Sequence, residues 1–383
     1  MKFIVPLLIS FILTFLAMPL VIRLAKACKC LDAPGERRLH EKITPRWGGV
    51  AFFLGVMPVL FLMNGDRTLT AYIIASFILV GIGILDDRYG LGWKIKLAGN
   101  AAAATIVIFG GNAVVHHIGA YGVLGSVDLG WYGIPLTYLG IIGVTNAINL
   151  LDGLNGLAGG VALLGFLFMG IAAGLAGNVQ AALVCFAFVG ALGAFLRFNF
   201  PHARIFMGDS GSLFLGFSLS FMAVHLTQNA TSSLEPMFPV LVLLLPIFDA
   251  LRVIFVRLLN RKSPFHADNL HLHYLMVQRD ISPVNAVLLL WSMAAACGVI
   301  ALVLAERTSA SYLLVVTYAS LFLGFFAFSL TQGEQADEKN RLKIREMAEH
   351  RNRSSIETMI FSRAIRPVRN PQSARSYPLI GGP

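Results

Sequence analysis

The sequence predicts an all-α polytopic membrane protein of about eleven transmembrane helices. Three observations carry this. Of 383 residues, 56% are hydrophobic and only 13% are charged, roughly half the charged share of a soluble domain. Mean hydropathy is +0.73. Apolar runs long enough to cross a bilayer recur from one end of the chain to the other. This composition excludes a disordered chain, a coiled coil and an ordinary soluble enzyme.

Apolar stretches of roughly 17–25 residues fall at 3–24, 48–64, 68–85, 96–112, 132–150, 157–175, 179–197, 211–228, 237–257, 284–305 and 310–330. The first is read as a span rather than a signal peptide. It is longer than a signal's apolar core, and more positive charge follows it than precedes it. Residues 1–332 are expected to form the membrane domain. From 333 to 383 the chain is polar and dense in both charges, which reads as a cytoplasmic tail. Glu334 to His350 fits an amphipathic helix at the membrane surface.

Loop charges orient the bundle. The first loop holds Arg23, Lys26, Lys29, Arg37, Arg38, Lys42 and Arg46, and the third holds Arg88, Lys94 and Lys96. The seventh holds Arg197 and Arg204, and the ninth Arg257, Arg261, Lys262 and Arg279. Odd-numbered loops are basic, apart from the short fifth, and even-numbered loops are not. The positive-inside rule then places the odd loops in the cytoplasm and the N-terminus outside. The formal net charge of +10 is largely explained as topology, so it does not imply a nucleic-acid partner. Cys28 and Cys30 form one close pair with no second pair after it, which argues against a zinc site.

The same odd loops carry the unusual polar clusters. The third opens with Asp86-Asp87, and the fifth reads TNAINLLDGLNGLAGG, with Asn146, Asn149, Asp152 and Asn155. The seventh reads RFNFPHARIFMGDSGSLFLG, with Arg204 and Asp209. The ninth reads RLLNRKSPFHADNLHLHYL, with Asp268, His271 and His273, and the first contains Arg37, Arg38 and His40. Each has a plain reading. The Asp pair suits a solvated helix end, the Gly-rich segment a turn, and Asp209 or Ser210 a helix N-cap. His271, His273 and Arg204 suit interface anchors. Those readings poorly explain why acids, amides, histidines and arginines share one loop parity. Ionisable groups at a membrane boundary point to function. Carboxylates and amide oxygens suit Mg²⁺, a hard cation that binds one or two carboxylates plus substrate phosphates. Arginines and histidines suit diphosphate. Metal, diphosphate and a lipid end together imply phosphoryl or glycosyl-phosphoryl transfer at the bilayer surface.

From about Asp32 to Leu275 the chain resembles the polyprenyl-phosphate N-acetylhexosamine-1-phosphate transferases. The resemblance rests on an ordered set of motifs: DAPGERRLH…PRWGG, LDD, NAINLLDGLNGL, FMGDSGSLFLG, PIFDALRV and SPFHADNLHLH. His271-Leu272-His273-Tyr274 is similar to the WecA-like subgroup. This implies UDP-GlcNAc as donor and undecaprenyl phosphate as acceptor, giving undecaprenyl-diphosphate-GlcNAc and UMP. Another UDP-N-acetylhexosamine or UDP-MurNAc-pentapeptide is the alternative donor. The family's Asp-Gly-x-Asp-Gly is here Asp152-Gly153-Leu154-Asn155-Gly156.

The resemblance implies these roles. Asp209, Asn149 and Asn146 hold Mg²⁺, for which Mn²⁺ substitutes. Asp86 and Asp87 sit at the lipid-phosphate end, and Asp152 organises its loop. These acids, with Asp209, form the catalytic set. Asn155 contacts uracil. His271, His273 and Arg204 hold the diphosphate, and Arg37, Arg38, His40 and Asp268 complete the substrate-binding set. The expected partners are undecaprenyl phosphate, a UDP-N-acetylhexosamine and the bilayer of the bacterial inner membrane; a homodimer is left open. A membrane transporter is the reading from another class. Transporter sites lie near the midplane between repeats, whereas these polar groups share one face.

Overall fold

The computed structural model describes residues 2–33, 43–63, 66–120, 125–228, 234–263, 270–305, 313–324 and 326. In chain order the helices are α1 (Ile4–Ala27), α2 (Gly48–Leu62), α3 (Arg67–Tyr89), α4 (Trp93–Thr105), α5 (Gly133–Leu151) and α6 (Leu157–Leu175). They continue with α7 (Val179–Asn199), α8 (Asp209–Thr227), α9 (Met237–Val242), α10 (Leu244–Leu259), α11 (Leu272–Gln278) and α12 (Pro283–Ala305). Helix α13 spans Leu313–Gly324. Among the described residues, two short antiparallel ladders stand between the helices. β1 (Leu31–Asp32) pairs with β2 (Thr44–Pro45), and β3 (His117–Ala120) with β4 (Ser126–Asp128).

Among the described residues, seven helices, α1, α3, α5, α6, α7, α8 and α12, are long and apolar enough to cross a membrane. The chain is a polytopic membrane protein. Seven is fewer than the eleven expected from apolar runs, and the difference lies in helices that are short or interrupted. Helix α2 is apolar but shorter, as is α13. Helix α4 loosens at Ile106–Gly110 into a π-helical turn. The run at 237–257 breaks at Leu243 into α9 and α10. Pro246 sits in the first turn of α10, where its missing N–H costs nothing, whereas inside one continuous helix it would leave the Val242 carbonyl unpaired.

Packing follows the tendency of helices in lipid to place small and hydroxyl-bearing residues where helices approach closely. Helix α1 buries Ser10, Thr14, Met18, Val21 and Ala25, one stripe at helical spacing. Its Leu8, Ile12, Leu16 and Leu20 are exposed. Helix α8 is the central post. Nearly all of it is buried, and α2, α3, α5, α6 and α7 pack around it. Gly216 lets α8 meet the Thr145 backbone of α5, and Gly83 of α3 lies on the Ser210 backbone. A methyl group at either would collide with main chain. Phe52, Phe166, Phe188, Phe195 and Phe214 fill the interior beside α8, all fully buried.

At one end of the bundle, Gln228 Oε1 accepts the His116 and His117 N–H groups, anchoring the β3–β4 ladder to α8. The other end of α8 begins at Asp209, and there the motifs meet.

Candidate active site

The N-terminus of α8 organises the site. The expectation that Asp209 or Ser210 caps this helix does not hold. Gly208 occupies the cap position with φ +73 and no capping side chain. The cap comes from α3. Asp87 Oδ1 accepts the Asp209 N–H at 2.8 Å, and Oδ2 accepts the Ser210 N–H at 3.2 Å and its hydroxyl at 2.9 Å. A carboxylate at a helix N-terminus satisfies free donors and meets the positive end of the dipole. Gly208 faces this carboxylate so closely that a Cβ would collide with it.

Freed from capping, Asp209 turns to other groups. Its Oδ2 lies 2.7 Å from Lys96 Nζ of α4, and its Oδ1 accepts from Asn149 Nδ2 at 3.2 Å. The same Asn149 amide donates to Ser212 Oγ at 2.7 Å. Lys96 also reaches Asp86 Oδ2 at 3.4 Å. One ammonium thus joins the carboxylates of α3 and α8. Asp86 is 7% exposed, and its Oδ1 is buried with no hydrogen-bond partner among the described residues. Asn146 Nδ2 bonds to the Ile142 carbonyl of its own helix, so its amide nitrogen is spent locally.

The loop between α5 and α6 lies alongside. Asn199 of α7 ties it to the segment before α8: its Oδ1 accepts the Gly156 N–H and its Nδ2 donates to the Ile205 carbonyl. Asn155 Nδ2 donates to the Pro201 carbonyl at 3.1 Å. Burial pushes the Asp152 carboxyl up to about 7, and the negative Asp209 and Asp87 push the same way, while Arg46 opposes. Arg46 is itself held by Asp32 Oδ1 at 2.7 Å. The backbone of its motif is strapped to the pre-α8 segment: Phe206 N–H donates to the Pro45 carbonyl, Gly48 N–H to Phe206 and Gly49 N–H to Met207. Four of the motifs therefore touch one another.

The histidine motif approaches from α10 and α11. His271 Nδ1 is 2.8 Å from Asp249 Oδ2. His273 is fully buried, and neither ring nitrogen has a hydrogen-bond partner among the described residues. Burial lowers its pKa to about 4, helped by His271 and opposed by Asp249, so at neutral pH it is uncharged. Its Nε2 lies against Gly153, where a Cβ would collide with it. Arg204 is exposed, and its N–H donates to the Phe198 carbonyl. Arg37, Arg38, His40 and Asp268 lie outside the described residues, as does the tail 333–383.

Two groups were missed by the sequence reading. Lys96 counted only as loop charge, although its place ten residues after Asp86 was a usable signal. Asp249 counted only as a letter of PIFDALRV; a carboxylate inside an apolar run was the signal there. Among the described residues no three His, Cys, Asp or Glu side chains form a ready metal cage. The donor set still fits a hard divalent cation that completes its shell with substrate oxygens. Asp86 and Asp209 gather around positive charge, Asp86 Oδ1 is unpartnered, and the hydrogen bonds of Asn149 use its nitrogen and leave its oxygen.

The protein family described as Glycosyl transferase family 4 matches residues 69–227. A Bacillus subtilis protein named "Probable undecaprenyl-phosphate N-acetylglucosaminyl 1-phosphate transferase" is 32% identical over 329 residues, covering 85% of this chain and 91% of that protein. An undecaprenyl-phosphate alpha-N-acetylglucosaminyl 1-phosphate transferase of Escherichia coli O157:H7 is 28% identical over 327 residues, covering 84% and 87%. A decaprenyl-phosphate N-acetylglucosaminephosphotransferase of Mycobacterium leprae is 34% identical over 310 residues, covering 73% and 78%. None of these likenesses bears on a homodimer.

Proposed function

The chain belongs to glycosyl transferase family 4, the membrane-bound polyprenyl-phosphate N-acetylhexosamine-1-phosphate transferases, and from that premise we propose that it moves GlcNAc-1-phosphate from UDP-GlcNAc to undecaprenyl phosphate. The relatives' names support the choice of sugar and lipid. The observation that carries the reading is the Asp86–Lys96–Asp209 cluster, which joins α3, α4 and α8 at the mouth of the bundle. The expected orientation puts this mouth in the cytoplasm with the N-terminus outside, and residues 1–332 form the transferase domain with 333–383 as a tail.

An oxygen of the acceptor phosphate attacks the β-phosphorus of the UDP-sugar. The bond from that phosphorus to the bridging oxygen breaks, and UMP leaves with the electron pair. One phosphoanhydride replaces another, so positioning and electrostatics supply most of the catalysis. Asp209 and Asn149, with Asp86 and Asn146 beside them, would hold Mg²⁺ or Mn²⁺. The bound ion supplies positive charge against the crowded phosphate oxygens. Lys96 neutralises phosphate oxygens directly, Asn155 faces the uridine while Asp152 organises its loop, and His271, His273 and Arg204 hold the diphosphate, with Arg37, Arg38, His40 and Asp268 completing the substrate contacts. Asp86 orients the acceptor. Asp87 is occupied as a cap through both oxygens, which favours direct attack by the lipid phosphate over a phospho-Asp87 intermediate. A phosphate monoester with a second pKa of about 6 needs little activation.

Purified protein is tested for UMP release with and without undecaprenyl phosphate, in Mg²⁺ and in excess EDTA. The expected result is release that needs both lipid and metal. Full activity in EDTA would remove the metal from the reading, and release without lipid would remove direct attack.

A further inference from the structure

We propose that Asp249 is a positioning residue for this reaction: it sets the tautomer and orientation of His271, so that Nε2 of that ring is presented to the donor's diphosphate. The inference rests on the transferase reading above and adds a residue that this reading leaves out.

Asp249 lies on α10 and is 2% exposed; His271 is 4% exposed. A carboxylate this deeply buried is costly unless its oxygens are hydrogen-bonded. Both are. Oδ2 meets His271 Nδ1 at 2.8 Å, and Oδ1 accepts the Leu272 N–H at 2.8 Å. One turn along α10, Arg252 Nη1 donates to the Leu270 carbonyl at 2.7 Å. Leu270, His271 and Leu272 are therefore each tied to one face of α10. His271 stands at the cap position of α11 but makes no cap bond with its own side chain. Asp249 supplies that bond from another helix, which leaves the imidazole free for other work.

The chemistry of the pair fixes the ring. An ionised carboxylate only accepts, so Nδ1 carries the proton and Nε2 is left for a ligand. With Nε2 protonated, the ring donates to an anionic diphosphate and its charge is balanced by Asp249. Charge-assisted hydrogen bonds of this kind are the strong ones. His273, stacked 5.9 Å from His271, has no hydrogen-bond partner on either ring nitrogen among the described residues. The two histidines are thus unequal, with the charge-bearing role falling to His271.

A double-mutant cycle tests this. Asp249→Asn keeps the shape and still accepts from Leu272 N–H, but its amide offers a donor to Nδ1 and reverses the tautomer. The expected loss in kcat/KM for the UDP-sugar is roughly 10- to 100-fold, the usual range for a group that orients a ligand. The KM for polyprenyl phosphate and the melting temperature stay as in the wild type. His271→Asn shows a similar loss, and the double variant loses no more than His271→Asn alone. Asp249→Glu, which keeps the carboxylate, recovers part of the activity. Wild-type turnover in Asp249→Asn, or losses that multiply in the double variant, would overturn the proposal. If Asp249→Asn does not fold, Asp249→Glu enters the same cycle. UDP binding measured by calorimetry separates the two levels. Absence of UMP release by the wild type sinks the transferase reading, whereas equal UDP affinity in wild type and Asp249→Asn sinks only the role of Asp249.

Discussion

Asp87 caps the helix that Asp209 begins, accepting its N–H at 2.8 Å from a different helix. Two acids adjacent in sequence are thereby given different tasks. Asp87 spends both oxygens on the α8 N-terminus. Asp86 keeps one buried oxygen without a hydrogen-bond partner among the described residues and shares Lys96 with Asp209. The two should separate in a stability assay. Asp87→Ala is expected to cost about 1–2 kcal/mol of stability, the loss of a helix cap, and so to melt at a lower temperature in detergent. Asp86→Ala should melt at or above the wild type yet lose nearly all UMP release. Equal melting of the two variants would contradict the assignment.

Lys96 is the cation between two carboxylates. Lys96→Met should reduce turnover by roughly 100-fold, the scale seen when one charge-stabilising donor is removed. It should also leave Asp86 and Asp209 in want of positive charge. Mg²⁺ is then expected to raise the melting temperature of the variant more than that of the wild type. A smaller Mg²⁺ effect in the variant would contradict the idea that Lys96 and the ion compete for the same carboxylates.

Asp152 gives a pH signature. Its folded pKa of about 7 lies above the ordinary 3.8, so the folded state binds the proton more tightly than the unfolded one. Its stabilising contribution is full below about pH 4 and is lost as pH rises toward 7. Asp152→Asn removes that loss. The variant's melting temperature relative to wild type should climb between pH 4 and pH 7 and level off above. A flat difference would place Asp152 in contact with water.

Gly153 is where the α5–α6 loop meets His273. Gly153→Ala forces a methyl onto the imidazole, an overpacking costing about 1–3 kcal/mol. Donor KM should rise as well, because the uridine loop and the histidine motif move together. An unchanged KM with lowered stability would leave the contact structural only.

Topology is open to direct labelling. Cys28, Cys30, Cys185 and Cys297 are all free and are first replaced. A cysteine at Ser126 should then react with an impermeant thiol reagent on intact cells, and one at Lys262 only after permeabilisation. The reverse pattern would put the site on the wrong side for a cytoplasmic nucleotide sugar.

Much of this site was legible because charge, amide and glycine motifs occur in ordered loops of one parity. Asp86 and Asp209, grouped from sequence, meet at Lys96, and Asn149 joins them through Asp209. What the sequence withheld is partnership. Lys96 reads as a positive charge at a helix end, which topology alone accounts for, and only the fold brings its Nζ between α3 and α8. Asp87 and Asp86 are chemically identical in the sequence; the helix phase at the end of α3 decides which one reaches the backbone of α8. The break at Leu243 was hidden because an apolar run reads the same whether the helix is continuous or interrupted, although Pro246 marked the place.

The most direct measurement identifies both products of one reaction. The purified protein is incubated with undecaprenyl phosphate, Mg²⁺ and a panel of UDP-sugars, and the lipid and the nucleotide are each analysed by mass. The account predicts a lipid heavier by one phospho-N-acetylglucosamine unit, formed from UDP-GlcNAc in equal amount with UMP. Release of UDP in place of UMP, or a lipid carrying sugar without the second phosphate, would contradict it.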